Sequence, residues 1–211
     1  MEIQIDSQGL SNIYNAGQLV TLVRLVDQSV GSDLVAASSL SVAWQAFAPM
    51  QNNTVTWASD FYCFATTTPL VMNAVIEMNT QSAVPIRPGY VYAFTQGVFV
   101  QQKMSQSPKS YVVANAMPAG SYAFGLAQAA VVNNVSILAP VCVVPVLYNE
   151  TAYFNPTAVI ATFLSTENAP GTLLPEPSNA FEIAVASGSG RPMLGFNDQT
   201  NLFYELSGSA S

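Results

Sequence analysis

The spacing of turn signals is the sequence feature that most restricts the fold of this chain. Runs of apolar, β-branched and aromatic residues are closed by proline, glycine, asparagine or serine about every 8–12 residues. Residues 61–67 (FYCFATT) and 90–100 (YVYAFTQGVFV) are typical of such runs, and no segment has the period of a long amphipathic helix. This pattern predicts an all-β fold, an antiparallel β-sandwich of the Greek-key or jelly-roll type.

Residues 18–26 (QLVTLVRLV) leave two local structures open. Leu19, Leu22 and Val26 would share one face of a helix. The β-branched residues between them favour a strand, and the nearly continuous apolar run is typical of a strand covered on both faces. We predict the strand and keep the helix as the alternative.

Two stretches, residues 42–68 and 138–166, resemble each other in the order of their residues. Five pairs of matching or similar residues share one constant separation: Pro49 with Pro145, Asn53 with Asn149, Trp57 with Tyr153, Ala65 with Ala161, and Thr66 with Thr162. This indicates a tandem duplication of a unit of roughly 100 residues. Chance matching in a chain rich in alanine, valine, threonine and asparagine is the alternative.

The polar residues 101–109 separate the two proposed copies and are interpreted as a linker. The predicted domains are therefore a first β-sandwich repeat over residues 1–104 and a second over residues 105–211. The alternative is that the two units pack as one larger sandwich. Within the first unit, residues 71–78 are predicted to form a strand, and Gly97 is predicted to form a β-bulge.

The balance of charge and apolar content restricts the partners of the chain. Hydrophobic residues make up 50% of it and charged residues only 8%, against about 25% charged in typical soluble domains. The surface must therefore be covered by neutral polar side chains, which suit sugar recognition or self-assembly. The net charge is −7 and the five cations are spread along the chain, whereas nucleic acid binding needs clustered cations. We predict no nucleic-acid partner.

The chain contains no histidine. This removes Ser-His-Asp and Cys-His nucleophilic sites, histidine acid–base catalysis and most zinc or iron sites. The sequence also has no glycine-rich phosphate loop and no calcium-binding loop. We therefore predict a protein that is not an enzyme and holds no metal and no cofactor. Glycoside hydrolysis by two carboxylates stays open, with the candidates Asp60, Glu77, Glu150 and Glu182.

The first residues, MEIQID, have neither the basic start nor the apolar segment of a secretory signal. The longest apolar run, residues 137–148, holds two prolines and is shorter than the roughly 20 residues that a spanning helix needs. We expect no membrane-spanning segment. The expected location is the cytoplasm, or outside the cell after export by a non-classical route.

Cys63 and Cys142 occupy positions that do not match between the two proposed copies. A disulfide framework would recur in both halves of a duplicated chain. We therefore predict two buried free thiols, with a single disulfide bridge between the halves as the alternative.

An asparagine followed by an aromatic residue is the feature that both proposed copies keep. Asn53 precedes Trp57, and Asn149 precedes Tyr153. An amide can hydrogen-bond sugar hydroxyls while an aromatic ring packs on sugar C–H groups, so these four residues are predicted to form two related ligand-binding sites. The alternative is structural, with each asparagine shaping a turn and each ring filling the core.

Arg87 and Arg191 are the remaining candidate ligand-binding residues. Each stands before a proline in a chain that has few cations. A guanidinium group can hold an anionic group of a ligand with its fork of N–H donors. The alternative is that these arginines form ion pairs with Glu77 and Glu182, which also recur in both copies.

The predicted function is non-enzymatic recognition by a lectin-like, carbohydrate-binding module with two related sites for glycans. Two sites on one chain raise avidity without new contacts. The first alternative is a self-assembling storage, inclusion-body or surface structural protein, because low charge permits close association of neutral surfaces. The partner would then be a second copy of the chain in a homo-oligomer. A β-sheet toxin is the third alternative.

Overall fold

Strands account for about 58% of the computed structural model and helix for about 5%, in keeping with the many β-branched and aromatic residues. The structure describes residues 1–31, 33–34, 40–166, 169–175, 177–185 and 191–206. In chain order the elements are β1 (Glu2–Gln4), α1 (Ser7–Asn15), β2 (Leu19–Val30), β3 (Asp33–Leu34), β4 (Leu40–Val42), β5 (Gln45–Phe47), β6 (Asn52–Trp57), β7 (Tyr62–Thr66), β8 (Thr80–Gln81), β9 (Tyr90–Thr95), β10 (Val98–Met104), β11 (Tyr111–Asn115), β12 (Tyr122–Val132), β13 (Val135–Val146), β14 (Thr151–Ser165), β15 (Leu173–Pro175), β16 (Phe181–Ala184), β17 (Met193–Asn197) and β18 (Leu202–Glu205).

Two large sheets organise these strands. The first has the order β18-β17-β1-β6-β12-β7-β8, and β13 also pairs with β12. The second has the order β10-β9-β11-β14-β2-β3, with β16 paired to β14 and β5 paired to β2, while β15 and β4 form a small sheet of two strands. Most neighbours are antiparallel, but β1 runs parallel to β17 and β11 runs parallel to β9. The predicted all-β, sandwich-like fold is confirmed, with one parallel pair in each large sheet.

The two large sheets share one main core. Leu22, Phe154 and Ile160 of the second sheet and Phe124 and Leu126 of the first are fully buried and belong to the same cluster of side chains. Full burial of an apolar side chain of this size contributes about 1.5–3 kcal/mol. Inward-facing residues from both sheets therefore hold the sandwich together.

Strands from the two predicted repeats alternate within both sheets. β1 lies between β6 and β17, and β2 pairs along most of β14. Asn53 is buried inside β6, whereas its proposed counterpart Asn149 adopts a left-handed backbone with φ of 63° in a turn. The structure does not show the proposed duplication, and the division into two domains stays a prediction.

Two local predictions have clear outcomes near the start and the middle of the chain. Residues 18–26 are extended as part of β2, so the strand prediction is confirmed and the helix alternative is wrong. Gly97 does not form a bulge, because it joins β9 to β10 in a two-residue turn with Gln96, and both have positive φ, 51° at Gln96 and 78° at Gly97. The predicted linker begins inside β10, which extends to Met104.

The predicted strand over residues 71–78 is wrong. Asn73 has a left-handed φ of 66°, and the backbone N–H of Ala74 donates to the carbonyl oxygen of Val71 at 3.1 Å, which turns the chain. Only an isolated bridge between Val75 and Thr172 remains of the expected pairing. In the described residues, no helix is long and apolar enough to cross a membrane.

Cys63 and Cys142 are buried free thiols, as predicted. Both are register partners of Leu126, on opposite sides of β12. Two strand spacings of about 4.8 Å place their Cα atoms about 9.6 Å apart, whereas a disulfide requires Cα atoms within about 7 Å. The alternative of a bridge between the halves is therefore wrong.

These thiols make stability sensitive to alkaline pH. Burial raises the pKa of Cys63 and of Cys142 from 9.0 to about 12, so thiols of the unfolded chain ionise first. The folded state then binds more protons, and the stabilisation present below about pH 9 is lost as pH rises towards 12. We expect the free energy of unfolding, measured with urea, to fall between about pH 8 and pH 10. The Cys63→Ala/Cys142→Ala variant should show a flatter profile, and an equally steep profile would contradict the assignment.

Candidate functional site

Asn53 is 1% exposed, and its amide is fully engaged within the protein. Its Nδ2 donates to the carbonyl oxygens of Ile3 at 3.2 Å and Met50 at 2.7 Å. Its Oδ1 accepts from the backbone N–H of Met50 at 2.8 Å and from Nδ2 of Asn133 at 3.0 Å. The amide therefore joins β6 to β1 and to two turns. This is the structural role that the sequence analysis gave as the alternative. Both N–H groups of the amide are already bonded, so neither is free to bind a sugar hydroxyl.

Trp57 packs against another ring rather than beside Asn53. Its ring centroid lies 5.7 Å from that of the fully buried Trp44, with an edge-to-face angle of 81°. A strand rises about 3.3 Å per residue, so Trp57 lies about 13 Å along β6 from Asn53. The two residues do not converge on one small ligand group.

Asn149 lies in the turn that precedes β14, and Tyr153 lies near the start of that strand. Asn149 is exposed, and its backbone N–H donates to the carbonyl oxygen of Asn115 at 2.9 Å. Tyr153 is half-buried, with Val112 and Ser29 as its register partners on the neighbouring strands. Because β14 belongs to the second sheet and β6 to the first, the two predicted sites lie on different sheets. Their roles in sugar binding stay predictions.

The two candidate arginines are exposed and lie apart from these residues. Arg191 Nη1 lies 4.0 Å from Glu2 Oε1, at the limit of an ion pair, so its partner is Glu2 rather than Glu182. The backbone N–H of Arg87 donates to the Tyr92 hydroxyl at 3.0 Å, and its guanidinium group forms no ion pair with Glu77. An exposed pair contributes at most about 1 kcal/mol, so both side chains remain available to solvent.

A cleft of about 710 Å³ opens between the end of β14 and several turns. We call it the neutral cleft, because no described residue that lines it carries a charge. The lining consists of amide, hydroxyl and apolar side chains from Gln18, Met72, Asn73 and residues 163–166, 174–175, 177–179 and 200–202. Its volume lies within the range of about 300–1,000 Å³ that is usual for small-molecule sites.

Local hydrogen bonds fix the walls of the neutral cleft. Asn197 Oδ1 accepts from the backbone N–H groups of Gln199 at 2.9 Å and Thr200 at 3.0 Å, which shapes the turn between β17 and β18. Ser165 Oγ lies 2.7 Å from Thr21 Oγ1, which holds the end of β14 to β2. The wall therefore presents hydroxyl and amide groups on ordered backbone, and these groups can both donate and accept hydrogen bonds.

The four candidate carboxylates lie on four different segments. Asp60 follows β6, Glu77 lies between β7 and β8, Glu150 precedes β14, and Glu182 lies in β16. Glu150 Oε2 accepts from the backbone N–H of Leu147 at 3.0 Å and closes a turn. Within the part of the chain that the structure describes, no three His, Cys, Asp or Glu side chains group closely enough to hold a metal ion.

Arg24 is a charged residue that was not among the candidates predicted from the sequence, although aromatic rings surround it. It lies in β2, and its Cζ is 5.9 Å from the ring centroids of Trp44 and Trp57 and 5.6 Å from that of Phe61. Burial lowers the pKa of Arg24, and the neighbouring Tyr111 opposes this shift. Burial raises the pKa of Tyr111, and the charge of Asp60 raises it further. The three rings form an aromatic enclosure that stabilises the cation.

A signal for Arg24 was present in the sequence. It is the one charged residue inside the apolar run of residues 18–26, and a cation in a strand covered on both faces needs a buried partner. The neutral cleft offered no comparable signal, because its lining comes from distant segments. In comparisons with protein-family models, curated proteins and solved structures, none matches this chain.

Proposed function

We propose that the chain is a non-enzymatic carbohydrate-binding module whose site is the neutral cleft. The observation that carries the proposal is the lining of the cleft, in which amide and hydroxyl groups surround exposed apolar side chains. Sugars present hydroxyl groups beside apolar C–H faces, so they need hydrogen-bond donors and acceptors together with apolar surface. The proposal moves the site away from Asn53 and Trp57, whose side chains are engaged within the protein.

The two kinds of lining group would share the recognition of a sugar. Gln18, Thr166 and Asn179 can bind hydroxyl groups at the rim, because amides and hydroxyls both donate and accept. Met72 and Leu202 are exposed and offer apolar surface for the C–H face of a ring. A ligand held between the polar rim groups and the apolar side chains would lose water from its hydroxyl groups and from its C–H face. A short oligosaccharide has both kinds of surface, whereas a free ion does not.

Matched variants test the site. A glycan array identifies a ligand, and titration calorimetry then compares wild type with Thr166→Ala and Asn179→Ala, which remove exposed groups of the cleft. Thr54→Ala and Asn52→Ala are the matched controls, because they remove a hydroxyl and an amide group from exposed positions of β6 outside the cleft. One hydrogen bond is worth about 1 kcal/mol, so we expect each cleft variant to weaken binding about fivefold and the controls to bind like wild type.

Other outcomes would contradict the proposal in identifiable ways. Loss of binding in folded Trp57→Ala or Tyr153→Ala, with the cleft variants unaffected, would move the site to the residues predicted from the sequence. A blank array would favour self-assembly if light scattering showed mass rising with concentration. The edge strand β10 suits self-assembly, because an exposed strand edge can pair with another chain. Its side chains Val100 and Met104 are 44% and 68% exposed.

A further inference from the structure

Tyr204 is an exposed aromatic side chain that lies beside the neutral cleft. It stands in β18, two residues after Leu202, which lines that cleft. Leu202 and Tyr204 are 42% and 45% exposed, whereas Phe203 between them is 4% exposed. Alternate residues of a strand point to one face, so Leu202 and Tyr204 share the outer face of β18. Their Cα atoms lie about 6.6 Å apart, two strand rises of about 3.3 Å.

The Tyr204 ring packs against the backbone of the neighbouring strand. Its register partner in β17 is Gly195, which is buried. A Cβ atom at Gly195 would lie 2.5 Å from Cζ and 2.7 Å from the hydroxyl oxygen of Tyr204. Only glycine therefore lets the ring lie at this position, where backbone supports it from one side and the rest of its surface is open to solvent.

A second cleft, of about 360 Å³, opens beside this ring. We call it the tyrosine groove, because Tyr204 lines it together with Gln4, Asp6 and residues of β6 and β17. Gln4 is the register partner of Gly195 on the other side of β17, and Gly195 has no side chain to separate the Gln4 amide from the Tyr204 ring. Gln4 and Asp6 are exposed, so the groove combines an aromatic ring with an amide and a carboxylate, which bind hydroxyl groups.

We infer that the tyrosine groove is a further subsite for the oligosaccharide of the neutral cleft, in which one sugar ring stacks on Tyr204. The inference rests on the proposed function, because the ligand would reach the groove from Leu202 along the outer face of β18. Phe163 is the one aromatic residue among the described residues that line the neutral cleft, and it is 9% exposed. Tyr204 therefore supplies the exposed ring that the neutral cleft lacks.

The subsite occupies the side of the tyrosine groove next to β18. Asn52 lines the opposite side, because Tyr204, Gly195, Gln4 and Asn52 are successive register partners across four strands. Three strand spacings of about 4.8 Å place Asn52 about 14 Å from Tyr204. One sugar ring stacked on Tyr204 does not reach Asn52, so Asn52→Ala stays a control for ligand binding.

Ligands of different length test the subsite by titration calorimetry. The probes are the best oligosaccharide from the glycan array and the same oligosaccharide shortened by one sugar unit at either end. We expect Tyr204→Ala to bind the full-length ligand about tenfold more weakly, because stacking removes apolar surface from water. It should bind the ligand that lacks the stacked unit like wild type. Tyr204→Phe keeps the ring and should bind like wild type, as should the control Tyr148→Ala, which removes a 52% exposed tyrosine before β14.

A purely structural role is the alternative for Tyr204, because an aromatic ring that covers a glycine protects the backbone of a sheet. Folded Tyr204→Ala that loses stability but keeps full affinity would establish that role and overturn the subsite.

The ring signals of Tyr204 in wild-type protein decide the matter even if Tyr204→Ala does not fold. We expect them to shift saturably during titration with the full-length oligosaccharide. Static ring signals, with shifts in residues 163–166, would overturn the subsite and leave the neutral cleft as the site. The absence of binding to any glycan would contradict the proposed function, and the subsite with it.

Discussion

Replacing Gly125 with alanine is expected to cost more than about 4 kcal/mol of unfolding free energy, among the largest effects of a single substitution. Gly125 lies in the middle of β12, where a Cβ atom would overlap the carbonyl oxygen of Cys142 and lie 2.7 Å from Cε1 and Cζ of Phe64. The oxygen belongs to the backbone of β13, which pairs with β12 over its full length. Neither strand can withdraw without breaking the ladder that joins them.

Chemical denaturation with circular dichroism measures this cost. Ala127→Gly is the matched control, because it changes the same pair of residue types two positions further along β12. Ala127 is fully buried, so the loss of its methyl group and the added backbone freedom should together cost only about 1–2 kcal/mol. If Gly125→Ala were as stable as this control, the close packing of β12 against β13 and Phe64 would be contradicted.

Replacing Asn53 with alanine is expected to cost about 2–4 kcal/mol. The substitution removes four hydrogen bonds and leaves the backbone N–H of Met50 without its acceptor, and each bond contributes about 1 kcal/mol net. Asn52→Ala, at the exposed neighbouring position of β6, should change stability by no more than about 0.5 kcal/mol. Urea unfolding of both variants measures the difference.

The same pair separates a structural role from a binding role. If Asn53 served only to bind ligand, Asn53→Ala would be as stable as Asn52→Ala and would lose sugar affinity. We expect the reverse, with a large loss of stability and, in the folded fraction, unchanged affinity. Equal stability of the two variants would contradict the hydrogen-bond assignment of Asn53.

The fold class could be predicted because strand and turn signals lie in residues that are close together in the chain. Turn residues such as Asn133 and Asn134 close hairpins through their own backbone conformation, with φ of 48° and 71°. Helix α1 was missed although Asp6 accepts from the backbone N–H of Gly9 at 2.7 Å as its N-cap. A helix of nine residues makes too few turns for its apolar pattern to be distinguished from that of a loop. Residues 71–78 were misassigned because apolar content alone does not report a left-handed residue such as Asn73.

The candidate sites were harder to predict, because they depend on which strands become neighbours. The neutral cleft brings Gln18, Asn73 and Thr200 together from turns that the sequence does not relate. Asn53 and Trp57 were predicted as site residues from their residue types. In the structure Asn53 contacts Ile3 and Met50, and Trp57 packs against Trp44. Strand register and not residue spacing decides these contacts.

Mapping of amide chemical shifts during titration with the best oligosaccharide from the glycan array tests the central claim most directly. Sugar binding in the neutral cleft predicts saturable shifts in residues 163–166, 177–179 and 200–202, with little change in residues 53–57 and 149–153. Shifts confined to residues 53–57 and 149–153 would contradict the cleft as the site. The absence of binding to any glycan on the array would contradict carbohydrate recognition itself.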